Sequence, residues 1–179
     1  MELIIGPRTY STWSLRGWLV MKRTGADFTT VDVRYETQAQ KAALRQVSPS
    51  GFVPVLRHGD TLIWDTLAIA EWAAETYPEA RLWPADPMAR ALARSATAEM
   101  SSWGSAAAMG QMRGRFGQTG PWLFGDWSIA DAFFTPVAAR IRHFQIDLSA
   151  HGDDGAAATY VAALLAQPAF RQWETEALA

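Results

Sequence analysis

The residues best placed to do chemistry lie near the N-terminus, in Tyr10-Ser11-Thr12-Trp13-Ser14-Leu15-Arg16, directly ahead of an apolar helical run. Hydroxyls at a helix start sit beside free N–H groups and the positive end of the helix dipole, a setting that stabilises an anion. The same position suits an ordinary N-cap by Ser11, Thr12 or Ser14. A second segment, Gly51-Phe52-Val53-Pro54-Val55, brings a proline into a strand after a turn. A cis Val53–Pro54 bond there turns the Val53 backbone outward to pair with an extended peptide ligand; a trans proline on an edge strand fits the residues equally. In a third, Asp65-Thr66 precedes a helix, either as its cap or as an acid–hydroxyl pair that meets the ammonium and carboxylate of an α-amino acid.

Ser128-Ile129-Ala130-Asp131 is a capping box with Asp131 in place of the usual Glu, and we read Ser128 and Asp131 as structural. His58, His143 and His151 are scattered, without metal-ligand spacing, so no metal is expected. No phosphate-binding glycine pattern follows a strand, and Arg113 and Arg115 fall in a glycine-rich stretch from Gly104 to Gly120 that argues against one continuous helix.

Composition narrows the class. The chain has 179 residues, with 16 Lys+Arg against 18 Asp+Glu, so the net charge is −2. No basic excess supports binding to nucleic acid or to an anionic membrane. Cysteine is absent, which removes disulfides, a protein thiol nucleophile and thiolate metal ligation. Nine tryptophans point to extensive aromatic packing. Nothing approaches the length of an apolar membrane span, and Leu3-Ile4-Ile5 is too short for a signal core, so a cytoplasmic location is expected.

The elements that must position these residues fall in two groups. Strands at Leu3–Ile5, Phe28–Val33, Val53–Leu56 and Leu62–Trp64 alternate with helices at Ser14–Lys22, Ala39–Val47 and Thr66–Tyr77, giving the order βαβαββα within residues 1–79. That order suggests a small mixed sheet with helices on its faces. Residues 80–87, with Pro84 and Pro87, read as a linker. Residues 88–179 read as all-helical, with helices at Met88–Ser101, Ser128–Phe144, Ala156–Ala166 and Ala169–Leu178.

Taken in order, Ser-Thr-Trp-Ser-x-Arg, Ser-Pro-x-Gly-x-Val-Pro-Val-Leu, Trp-Asp-Thr-x-Ala-Ile and Phe-Gly-Asp-Trp-Ser-Ile-Ala-Asp resemble a cytosolic glutathione S-transferase of the serine-type, zeta-like bacterial kind. The resemblance implies an α/β thioredoxin-like N-terminal domain that binds glutathione and an all-α C-terminal domain that helps bind an electrophile. It implies that Ser11 activates the glutathione sulfur, with Ser14, Thr12 and Tyr10 as neighbouring alternatives. Val53 and Pro54 then match the residue that pairs with the cysteinyl backbone and the family's cis-proline, while Asp65 and Thr66 hold the γ-glutamyl end. Phe52 stands where many relatives carry a polar residue near the glycyl end. Trp13, Trp103, Met109, Met112 and Phe116 are candidates for the electrophile site. The nucleophile belongs to the cosubstrate, which agrees with the missing cysteines.

The activity implied is conjugation of glutathione to a small hydrophobic electrophile in a homodimer. Glutathione-dependent cis–trans isomerisation of a maleyl-type acid is an alternative, and so is a non-catalytic glutathione- or protein-binding module. The helical domain is shorter than the resemblance implies, with only Met100 to Pro121 where two long helices are expected.

Overall fold

The computed structural model describes residues 1–103, 114–116 and 120–178, excepting the side chains of Ser102 and Trp103. By its internal contacts the chain divides into Met1–Ala80 together with Gln172–Ala179, and Arg81–Arg171.

The first unit carries β1 (Glu2–Ile5), α1 (Thr12–Thr24), β2 (Thr29–Asp32), α2 (Gln38–Val47), β3 (Val55–His58), β4 (Thr61–Ile63) and α3 (Thr66–Thr76), the expected βαβαββα order. The four strands form one mixed sheet in the order β2-β1-β3-β4. β1 is parallel to β2 and antiparallel to β3, with Leu3 opposite Leu56 and Ile4 opposite Val55. Leu3, Ile4 and Ile5 are buried, as a central strand covered on both faces requires. α1 and α3 pack on each other. α1 buries Leu15, Trp18, Leu19, Val20 and Met21, and full burial of such a side chain contributes about 1.5–3 kcal/mol. α1 ends where Gly25 adopts a left-handed φ of 71°.

Most element boundaries shift by one or two residues from the sequence reading, and two of the shifts bear on the site. β3 starts at Val55 rather than Val53, because Pro54 has no N–H to contribute to the ladder. α1 starts at Thr12 rather than Ser14, so Ser11 is its N-cap and Ser14 lies inside the first turn.

In the second unit, α4 (Pro87–Trp103) packs on α5 (Ile129–His143), which packs on α6 (Ala156–Ala166). α5 is the core helix, with Phe133, Phe134 and Ile129 wholly buried. α7 (Pro168–Ala177) follows, opening on a proline whose missing N–H costs nothing at a helix start; its residues from Gln172 onward belong to the first unit. No described helix is long and apolar enough to cross a membrane.

Candidate active site

The site is built where the central strand β1 gives way to α1. After Ile5 the chain turns at Gly6-Pro7, and the Pro7 carbonyl accepts hydrogen bonds from the N–H groups of Tyr10 (3.2 Å) and Ser11 (2.9 Å). This turn delivers Ser11 to the N-terminus of α1. Gly6 is needed for the close approach: a Cβ there would lie 2.8 Å from the Tyr35 ring and 3.1 Å from Ser11 Oγ.

Although Ser11 holds the N-cap position, its side chain makes no capping hydrogen bond. Its hydroxyl instead donates to Ser14 Oγ at 2.8 Å, and Ser14 Oγ also accepts the Gly6 N–H at 3.0 Å. The cap reading therefore does not account for the Ser11 hydroxyl. Ser14 is completely buried and holds the turn from beneath, while Ser11 lines an open cleft of about 380 Å³.

That cleft brings together Tyr10, Ser11, Thr12, Trp13, Phe52 and Val53 from the sequence-derived candidates. Its other wall comes from Tyr35, Lys41, Leu44, Arg45 and Ser50, which sequence reading missed. A signal for them existed: Lys41, Leu44 and Arg45 are spaced three and four residues apart, on one face of α2. Leu44 is buried, so that face turns inward and carries its two cations to the cleft.

The loop from Ser48 to Val53 forms the rim. Buried Ser48 donates its hydroxyl to the Phe52 carbonyl at 2.7 Å, and the Phe52 N–H donates to Ser50 Oγ at 3.3 Å. Gly51, with φ of 74°, makes the turn that other residues would strain to adopt. The Phe52 side chain is left 75% exposed. The Val53–Pro54 peptide bond is cis rather than trans, and the Trp64–Asp65 bond is also cis.

Pro54, Asp65 and Thr66 do not line the cleft; Pro54 and Thr66 meet α1 beside it. A Cβ on Gly17 would lie 3.0 Å from Pro54 Cγ, so a glycine in α1 lets Pro54 pack close, while Thr66 Cγ2 would stand in ordinary contact at 3.9 Å. The Thr66 hydroxyl donates to the Trp13 carbonyl at a long 3.4 Å. Asp65 caps α3, accepting the N–H groups of Leu67 (2.9 Å) and Ala68 (3.3 Å), and remains exposed.

Tyr10 faces a different partner. Its hydroxyl donates to Glu36 Oε1 at 2.8 Å, and its ring meets Tyr35 edge-on at 6.1 Å. The bond to the carboxylate favours the neutral phenol and pushes the Tyr10 pKa up to about 12; the same bond holds the Glu36 carboxyl below its ordinary value. Replacing Glu36 by Gln is expected to return the Tyr10 titration, followed by phenolate absorbance, towards about 10. A titration that stays near the parent value would show that Glu36 is not the cause.

Of the electrophile-site candidates, Trp13 is half-exposed with the Arg16 guanidinium 4.5 Å over its ring. Phe116, in the second unit, stacks on Phe124 at 5.2 Å beside Arg115, which pairs with Glu99 at 3.5 Å. Met109 and Met112 lie outside the described residues, as does the Trp103 side chain. Among the described residues no cluster of three His, Asp or Glu could hold a metal ion.

Ser128 and Asp131 belong to the interior of the second unit. Asp131 Oδ2 accepts the Ser128 N–H (2.8 Å) and hydroxyl (3.1 Å). Its Oδ1 accepts the Leu123 N–H (3.1 Å) and the Tyr160 hydroxyl (2.8 Å). Burial raises the carboxyl's pKa against the pull of these donors.

Comparison with known proteins places this geometry. Residues 10–76 match the family model for the glutathione S-transferase N-terminal domain. Residues 10–76 thus carry a glutathione S-transferase N-terminal domain. The chain is 34% identical over 88 residues to a probable maleylacetoacetate isomerase of Caenorhabditis elegans, a match covering 49% of this chain and 40% of that protein. It is also 34% identical over 92 residues to glutathione S-transferase 1 of Dianthus caryophyllus, covering 51% of this chain and 41% of that protein. These matches thus span about two fifths of the curated relatives' length. Among solved structures, a Burkholderia glutathione transferase homolog with bound glutathione superposes with a TM-score of 0.79 at 26% identity, covering 99% of this chain and 97% of that one. The expected glutathione S-transferase fold, a thioredoxin-like sheet unit followed by a helical one, is the fold observed.

Proposed function

We propose that the chain is a glutathione-dependent transferase that joins the glutathione sulfur to a small hydrophobic electrophile. The observation that carries this reading is the cleft itself. It has an N-cap hydroxyl that makes no capping bond and a helix N-terminus at one end, the Val53 backbone at its rim and two cations at the other end. Glutathione is an extended peptide with a thiol in the middle and a carboxylate at each end, and this donor set fits it.

Ser11 donates to the sulfur, favouring thiolate over thiol beside the positive end of α1. Val53 pairs with the cysteinyl backbone. Lys41 and Arg45 meet the glycyl carboxylate, the role that Phe52 leaves unfilled. Thr66 and Asp65 hold the γ-glutamyl carboxylate and ammonium, and Trp13 lies on the electrophile side. Bound glutathione supplies the nucleophile: its sulfur gives up a proton to solvent, bonds to the electrophilic carbon, and the leaving group departs with the displaced electron pair. The family likeness further supports a homodimer working in the cytoplasm.

A second reading, glutathione-dependent cis–trans isomerisation of a maleyl-type acid, is favoured by the 34% identity to the probable maleylacetoacetate isomerase. Immobilised glutathione is expected to retain the protein, and a chlorodinitrobenzene-type electrophile to be conjugated at a rate saturable in glutathione. Retention with isomerisation of the maleyl-type acid, and no conjugation, would select the second reading. Retention with neither reaction would leave a binding module, and no retention would overturn both.

A further inference from the structure

The turn that presents Ser11 is held by residues far away in sequence. Arg8 lies inside it, between the Pro7 carbonyl and the two N–H groups that carbonyl accepts. The Arg8 side chain is only 10% exposed and is held on several sides. Its Nη2 donates to Thr30 Oγ1 at 2.9 Å and meets Glu176 Oε2 at 3.2 Å, while Nη1 faces Asp32 Oδ1 at 3.6 Å. The guanidinium lies 4.9 Å over the Trp173 ring. The Trp173 indole N–H returns a bond to the Arg8 carbonyl at 3.1 Å, across 165 residues of sequence.

Trp173 is itself 3% exposed and packs edge-on against Trp18 of α1 at 5.4 Å. One indole thus touches both the turn before Ser11 and the helix after it. Glu176 is oriented in turn by Gln172, whose amide donates to Glu176 Oε1 at 2.7 Å. Residues of α7 therefore grip the main chain and the side chain of Arg8 together.

We infer that Arg8 and Trp173, with Glu176, are positioning residues: α7 braces the Pro7–Ser11 turn and thereby fixes the direction of the Ser11 hydroxyl. None of the three touches the cleft, so they act on the reaction through Ser11. The catalytic half of this inference rests on the transferase reading; the structural half does not. A hydroxyl that must donate to a sulfur tolerates little displacement, since misplacing a reacting group by about 1 Å can cost on the order of a hundredfold in rate.

Trp173→Phe tests this, because a ring still packs between Trp18 and Arg8 while the indole N–H and part of the ring volume are lost. In the ligand-free protein, amide exchange at Tyr10 and Ser11 is expected to quicken about tenfold, the scale of one lost hydrogen bond. Exchange at Tyr77, whose N–H caps α3 elsewhere, should stay at the parent rate. In turnover, kcat is expected to fall about tenfold with KM for glutathione within about twofold. Glu176→Gln, which removes an ion pair at the rim of the brace, should shift both readouts the same way and serves if Trp173→Phe does not fold.

Parent exchange rates at Tyr10 and Ser11 in a folded variant would overturn the brace. Uniform acceleration at Tyr77 as well would do the same, by reducing Trp173 to a general contribution to stability. Faster exchange with unchanged kcat would overturn the positioning role. A parent protein without glutathione-dependent turnover would sink the transferase reading alone, because the exchange measurement needs no ligand.

Discussion

Asp131→Ala is expected to lower the free energy of unfolding by on the order of 3–5 kcal/mol, enough to leave little folded protein at physiological temperature. The carboxylate receives four hydrogen bonds in a fully buried site, from the N–H groups of Leu123 and Ser128 and the hydroxyls of Ser128 and Tyr160. Truncation removes the acceptor of all four bonds, and a buried donor left unsatisfied costs about 1–3 kcal/mol. The bonds also join three pieces of the second unit: the turn at Leu123, the start of α5 and the middle of α6. Loss of one side chain therefore uncouples all three. Urea unfolding of the variant, or its thermal midpoint where expression allows, is the measurement; a midpoint equal to the parent's would show that Asp131 is not a structural hub.

The raised pKa adds a signed consequence. Because burial makes the folded-state value higher than the unfolded one, folding takes up a proton between the two values. Asp131's contribution is then fully present below the pKa of an exposed aspartate and is lost as pH rises through the folded value. Asp131→Asn, which cannot titrate, should show a stability deficit against the parent that shrinks over that rise. A deficit constant with pH would place the folded and unfolded values together.

Ser11→Ala is expected to reduce kcat/KM for glutathione conjugation about a hundredfold, the scale of removing one donor from a developing or stabilised anion. Glutathione should still bind, because its two ends are held by other groups. Its bound thiol, followed by thiolate absorbance, should titrate at higher pH. The fold should be little changed, since Ser11 makes no capping bond and Ser14 still accepts the Gly6 N–H. Ser11→Thr, which keeps the hydroxyl, should recover part of the rate. Unchanged turnover and thiolate titration in Ser11→Ala would move the role to another group, with Thr12 next in line at the cleft.

Much of this protein is legible in the sequence, for local reasons. Short β-branched and apolar runs, the His58-Gly59-Asp60 turn and the helix caps each act within a few residues, so the βαβαββα order and the later helices can be read directly. Ser128-x-x-Asp131 is legible because a capping box is a local device. Ser11, Val53 and Asp65 stand out because each sits at a strand or helix boundary, where backbone groups are left over. With no cysteine in the chain, a thiol nucleophile would have to come from a ligand.

What the tertiary structure alone decided concerns residues whose roles depend on distant partners. Ser11, Ser14 and Tyr10 are equivalent hydroxyls in the sequence; folding buries Ser14 under Gly6, turns Tyr10 to Glu36 and leaves Ser11 facing the cleft. Lys41 and Arg45 look like solvated charges until the sheet places α2 beside the turn before Val53. Tyr160 and Leu123 give no sign of meeting Asp131, nor Trp173 of meeting Arg8, because such pairs are fixed by how elements pack rather than by any run of neighbouring residues. Local propensity sets which elements form and where they end, whereas the direction of a hydroxyl is set by whichever buried groups require a hydrogen-bond partner once the chain has closed around them.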